Sequence, residues 1–108
     1  MTNKELEKLI ERYERNADNN YRNYQDTGAQ KYYAAYNRYQ DTADVLRYAL
    51  QSNEHYAQLV DIRADLSIAA GLAQRLNDRY EDYGFYDSEK VQSLCNQIIE
   101  AARSKGLI

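Results

Sequence analysis

The chain has no proline and no tryptophan, one cysteine and four glycines in 108 residues. Each shortage excludes something. Without proline, no residue forces a kink or removes a backbone donor, which suits long unbroken helices. A single cysteine, Cys95, rules out an intrachain disulfide, and a reducing compartment is the simplest setting. Residues 68–73 form the longest apolar run, far too short to cross a bilayer. Residues 1–5 carry no apolar signal region. There is no glycine-rich phosphate loop. A cytoplasmic protein without a membrane partner is the expectation.

Aliphatic bulk is scarce as well. Leu, Ile, Val and Phe number 20, and between Glu11 and Asp44 there is no Leu, Ile, Val, Met, Phe, Trp or Cys. That poverty signals disorder when net charge is high. Here the net charge is only −3, and twelve tyrosines supply the missing volume, so the chain reads as one folded domain spanning residues 1–108. Residues 1–51 balance eight basic against eight acidic side chains; residues 52–108 hold six against nine. Interspersed signs and a mildly acidic total argue against a nucleic-acid partner, which needs a basic face.

Seven of the tyrosines (Tyr13, Tyr21, Tyr24, Tyr32, Tyr33, Tyr36 and Tyr39) fall inside the aliphatic desert. Each brings a large apolar ring and a hydroxyl that wants a partner. A segment built on them is either a helix seam with a wet edge or a recognition surface.

The periodicity predicts an all-α antiparallel bundle of three long helices and a shorter fourth. Thr2 and Glu5 form a capping box. Leu6, Ile10, Tyr13, Ala17, Tyr21 and Tyr24 then mark one face of a helix over about 3–25. Gly28 closes it, and Thr27 with Gln30 opens the next. The second helix, about 29–51, carries Tyr32, Tyr36, Tyr39, Ala43, Leu46 and Leu50 in four-three alternation, the seam of antiparallel neighbours. Folding at Gly28 sets Leu6 and Ile10 beside Leu46 and Leu50, and Tyr21 near Tyr33. The hairpin thus has an aliphatic base and an aromatic tip. Ser52 or Asn53 caps a third helix to about Tyr83, whose many apolar positions around 67–73 place it at the centre. Asp87 or Ser88 opens a fourth, about 88–104, with Val91, Leu94, Cys95, Ile98 and Ala102 on one face. Lys105, Gly106 and Leu107 read as a C-cap with its hydrophobic contact.

There is an internal echo: Tyr21-Arg-Asn-Tyr24-Gln-Asp-Thr27 matches Tyr36-Asn-Arg-Tyr39-Gln-Asp-Thr42. Two copies do not make a repeat protein. The run Tyr24-Gln-Asp-Thr-Gly28, then Tyr36, then Asp41, Ala43, Asp44, Leu46, Arg47, Ala49 and Leu50, resembles small uncharacterised helical proteins of phages and mobile elements of low-GC Gram-positive bacteria. The likeness covers about residues 13–50. It implies a bacterial host cytoplasm and brings no activity and no functional residue with it.

Candidate chemistry divides into core and surface uses. Tyr32, Tyr36 and Tyr39 suit a core, because Ala69, Ala70, Gly71 and Ala73 leave room for rings. Adjacent Tyr32 and Tyr33 point about 100° apart, so at least one of Tyr21, Tyr24 and Tyr33 is expected at the surface. With Arg22 and Lys31 at the rim, these three are the candidate partner-binding residues, since exposed tyrosines are common interface hot spots. Arginine neighbours tyrosine five times, as in Arg12-Tyr13, but helix neighbours do not share a face. Arg79 and Tyr83, four apart, make a better stack. With Tyr80 they are the candidate site for an alternative function, a small ligand such as a nucleotide. The carboxylate groups Asp61/Asp65, Asp78/Glu81/Asp82 and Asp41/Asp44 have helical metal-ligand spacings, yet a solvated charged face explains them. The Glu-x-x-His pairs of di-iron bundles are absent. His55, the one histidine, sits at an expected helix start, and Cys95 sits on an apolar stripe as a small hydrophobe. No metal, no cofactor and no catalytic residue is expected. The leading expectation is a non-enzymatic module that binds a protein, such as a host defence factor; a self-associating scaffold, closing its seams as a homodimer, is the other non-catalytic option.

Overall fold

The computed structural model describes residues 2–52, 65–83 and 89–108, with the side chains of 79–83 not among what is described. Four helices account for the architecture: α1, Asn3–Thr27; α2, Gln30–Gln51; α3, Leu66–Tyr83; and α4, Glu89–Ser104. The all-α bundle predicted from periodicity is the observed fold.

Local chemistry sets most of the helix ends. Thr2 Oγ1 accepts from the Glu5 amide at 3.1 Å and caps α1, as the capping-box pattern requires. Gly28 adopts φ 70°, and its amide donates to the Tyr24 carbonyl at 2.7 Å, the single-bond left-handed C-cap. At the end of α4, Gly106 has φ 72°; its amide reaches the Arg103 carbonyl and the Leu107 amide reaches Ala102, which is the Schellman arrangement.

Three expected ends differ. Thr27 is the last residue of α1 rather than a cap of α2. Its Oγ1 donates back to the Asn23 carbonyl at 2.7 Å while accepting from the Ala29 amide, and α2 starts after Ala29 without a side-chain cap. Ser52, one of the two expected caps of the third helix, is the residue that closes α2, its hydroxyl donating to the Ala49 carbonyl at 2.8 Å; the other, Asn53, lies outside the described residues. That helix was expected from about 53, but α3 opens at Leu66, where Asp65 Oδ1 accepts from the Ile68 amide as an N-cap. The expected stripe residues Tyr56, Leu59, Val60 and Arg63, together with His55, lie outside the described residues.

The hub is α2, not α3. It packs against α1, α3 and α4, while α3 and α4 also pack on each other. Two faces of α2 are buried: Ala43, Val45, Leu46, Ala49 and Leu50, and beside them Asp41 and Thr42. In α3 the buried residues Ala69, Ala70, Ala73 and Leu76 form one stripe, and Ser67, Ile68 and Gly71 are exposed. Counting apolar residues overestimated α3, because alanines close-pack a single seam without needing cover on every side. The core joins Leu6 and Tyr13 of α1 to these residues and to Val91, Cys95, Ile98 and Ala102 of α4.

Two arginines fix the hub. Arg75 of α3 grips Asp41 of α2 with two parallel hydrogen bonds, Nε to Oδ2 at 3.0 Å and a terminal nitrogen to Oδ1 at 2.8 Å. Arg47 of α2 pairs with Glu14 of α1 and with Asp44, the latter at 2.7 Å. Burial lowers the Arg47 pKa by desolvation, and the guanidinium remains fully charged at neutral pH. Buried Thr42 satisfies its hydroxyl by donating to the Arg38 carbonyl at 2.8 Å, so both halves of the sequence echo bond back one turn through their threonine.

Candidate interaction surface

The α1–α2 hairpin carries its tyrosines in two groups. Near the base, Tyr13 is 3% exposed and tilts against Tyr39 with ring centroids 5.8 Å apart. Tyr39 and Tyr48 pack on the edge of the core. The second group sits at the tip. Tyr21 packs on Tyr36 at 5.0 Å and Tyr24 on Tyr33 at 5.1 Å, both across the two helices. Along each helix, Tyr21 and Tyr24 lie 6.4 Å apart and Tyr33 and Tyr36 lie 6.1 Å apart. The four rings close a circuit, all tilted against one another by 33–46°. Tilted pairs at these distances let the edge of one ring meet the face of the next, which adds to the burial of area.

The circuit follows from the turn. Because Gly28 ends α1 and α2 begins after Ala29, each cross-helix pair lies symmetrically about the turn. The i, i+3 spacing on each helix then stacks the two pairs one turn apart. None of the four rings belongs to the buried core or to the side chains packed against it. Tyr21 and Tyr33 are each 41% exposed, and Tyr24 and Tyr36 are half-buried. Exposure of at least one of Tyr21, Tyr24 and Tyr33 was expected, and two are exposed. Tyr21 was expected near Tyr33, and the two sit in one circuit, linked through Tyr24 and Tyr36.

The core role expected for Tyr32, Tyr36 and Tyr39 holds for Tyr39 alone. Tyr36 completes the tip circuit, and Tyr32 is half-buried with the Lys31 ammonium 5.0 Å from its ring centroid. Tyr36 is the site residue missed in the sequence. Its position mirrors Tyr21 across the turn, and that register was the available signal. Arg12 lies 5.2 Å from the Tyr13 ring centroid, so a long side chain does reach its neighbour's ring, contrary to the expectation for adjacent residues.

Around the rings the ionised groups Asp18, Arg22, Asp26 and Lys31 are all exposed and cancel in charge. Amides fill the remaining positions: Asn19, Asn20, Asn23, Gln25 and Gln30. Rigid rings amid adaptable amides at low net charge is the composition of a protein-recognition surface.

The other candidates fare differently. The Arg79, Tyr80 and Tyr83 side chains lie outside the described residues, as do those of Glu81 and Asp82. Asp61 lies outside them too. Asp65 is a helix cap, and Asp41 and Asp44 are held by Arg75 and Arg47. Among the described residues no group of three or more His, Cys, Asp or Glu side chains is placed to hold a metal ion. Cys95 is fully buried on the apolar face of α4. An open groove of about 400 Å³ runs between the start of α1 and α4, lined by Leu6, Ala49, Lys90 and Leu94 among others. Lys90 there pairs with Glu5 at 3.5 Å. Among the described residues no helix is long and apolar enough to cross a membrane.

No protein-family model, no curated protein and no solved structure matches this chain.

Proposed function

We propose that this protein is a non-enzymatic interaction module that engages a protein partner through the tyrosine tip of its α1–α2 hairpin. The observation that carries this reading is the four-ring circuit set apart from the core, with Tyr21 and Tyr33 each 41% exposed. Rings held by one another lose little side-chain freedom on binding, and a tyrosine anchor in an interface contributes on the order of 2 kcal/mol or more. Arg22 and Lys31 stand at the rim, where charges tune orientation rather than affinity. The absence of net positive charge at the tip favours a protein over a nucleic acid. The resemblance to proteins of phages and mobile elements points to a bacterial host cytoplasm and to a host protein, such as a defence factor, among the molecules this surface meets.

The test compares the wild type with the double variant Y21A/Y33A. Both rings lean on two others and are partly solvated, so each substitution costs about 1–2 kcal/mol, below the loss for a fully buried ring. The variant stays helical by circular dichroism, and proteins captured by the wild type from a Gram-positive lysate are no longer retained. Collapse of the fold would make the rings structural, and an unchanged capture profile would move the binding surface elsewhere.

A further inference from the structure

We infer that the tyrosine tip is an oxidative cross-linking site. Hydrogen peroxide, used by a one-electron peroxidase, joins Tyr21 to Tyr36 and Tyr24 to Tyr33 through carbon–carbon bonds and staples α1 to α2. The inference stands apart from partner binding and adds a covalent modification to the same rings.

Three observations carry it. The first is the set of oxidisable groups that the chain offers. It has no tryptophan, one methionine and one cysteine, and Cys95 is fully buried, where oxidants reach it poorly. The twelve tyrosines are therefore the main source of easily removed electrons. The second is access. Tyr21 and Tyr33 are exposed, and each touches a half-buried ring across the hairpin. Tyr13, at the base, is covered. The third is geometry. The Tyr21 and Tyr36 ring centroids are 5.0 Å apart with the planes at 46°, and those of Tyr24 and Tyr33 are 5.1 Å apart at 44°. Two directly bonded rings sit slightly closer at a comparable twist, so coupling needs only a small approach of partly solvated side chains. The remaining ring pairs are wider, at 5.8–6.4 Å.

The chemistry balances within each pair. The oxidant takes one electron from each phenol, and each hydroxyl proton goes to water, leaving two phenoxyl radicals. Their unpaired electrons, shared with the ring carbons beside the oxygen, pair in a new bond between those carbons. The hydrogen on each bonded carbon leaves as a proton, each oxygen takes one up, and both rings become phenols again. Two electrons and two protons are lost per link, and one hydrogen peroxide accepts them to become two waters. Rings held side by side couple far faster than rings that must find each other by diffusion.

The test treats the protein, at about micromolar concentration to keep coupling within one chain, with a haem peroxidase and hydrogen peroxide. Dityrosine is read by its blue fluorescence in the monomer band of a denaturing gel, and the linked residues by mass spectrometry of proteolytic fragments. The wild type is expected to give Tyr21–Tyr36 and Tyr24–Tyr33 links. Y21F keeps only the second and Y33F only the first. Y21F/Y33F retains ring volume and helix content, and its monomer fluorescence falls about tenfold or more. Each link closes a short loop in the unfolded chain, so the linked monomer melts higher by about 10 °C or more. A wild-type monomer without dityrosine overturns the inference. So does wild-type fluorescence in Y21F/Y33F, or a dominant link between any other pair of tyrosines. A linked monomer that melts no higher than the untreated protein overturns the staple. Lysate capture is run without peroxide, so its outcome bears on partner binding alone.

Discussion

Removing Arg75 is predicted to destabilise the protein more than removing Asp41, although the two make the same pair of hydrogen bonds. The reason is their unequal exposure. The Asp41 side chain is 13% exposed and that of Arg75 is 51% exposed. In Arg75→Ala the carboxylate stays on the core-facing side of α2 without its guanidinium, and water reaches it poorly. In Asp41→Ala the guanidinium swings into solvent and is rehydrated. Breaking a fully buried ion pair by removing one partner costs about 3–5 kcal/mol; the remaining exposure of Asp41 and the half-exposure of Arg75 scale that down to roughly 1–3 kcal/mol for Arg75→Ala. Asp41→Ala should cost about 1 kcal/mol, the net worth of the lost bonds. The double variant should fall near the Asp41→Ala value, because removing the acid also removes the reason the arginine mattered. Urea unfolding followed by far-UV circular dichroism measures all three, and each kcal/mol appears as about 4–8 °C in Tm for a domain of this size. The clasp joins α2 to α3, so it also ties the tyrosine hairpin to the rest of the bundle. Additive single effects, within about 0.5 kcal/mol, would mean the two side chains do not interact, and a costlier Asp41→Ala would refute the burial argument.

Two further substitutions probe the frame of the hairpin. Gly28→Ala places a side chain at φ 70°, where an added Cβ would meet nothing within 4 Å, so backbone strain alone should cost about 1–2 kcal/mol in the same unfolding assay. Leu46→Ala empties a fully buried position in the hub, and a loss of about 2–5 kcal/mol is expected; a loss below 1 kcal/mol would place Leu46 outside the core.

The parts of this structure that were legible in the sequence are those written in local chemistry. Thr2, Gly28 and Gly106 mark helix ends because each satisfies backbone groups within a few residues. The four-three stripes place Leu6, Leu46 and Leu50 in one core because helical period and a tight turn fix the register. The features that were not legible depend on tertiary choice. Asp65 looked like one more exposed acid on a long helix, since a mid-helix aspartate and a cap differ only in backbone direction. The Asp41–Arg75 clasp spans 34 positions and has no local signature. Tyr36 shares its stripe with Tyr39, and only the hairpin register separates a ring at the tip from a ring at the core. The hub role of α2 was hidden because Asp41 and Thr42, polar residues, occupy part of its buried surface.

The central claim is that the chain doubles back at Gly28 and that tyrosine rings, rather than aliphatic side chains, fill the far end of the hairpin. Nuclear Overhauser effects between assigned tyrosine ring protons test it most directly. The fold predicts cross-helix contacts from Tyr21 to Tyr36 and from Tyr24 to Tyr33, together with Tyr13 to Tyr39 nearer the base. Contacts confined to tyrosines on the same helix, with helical amide connectivities running unbroken through Gly28, would contradict it.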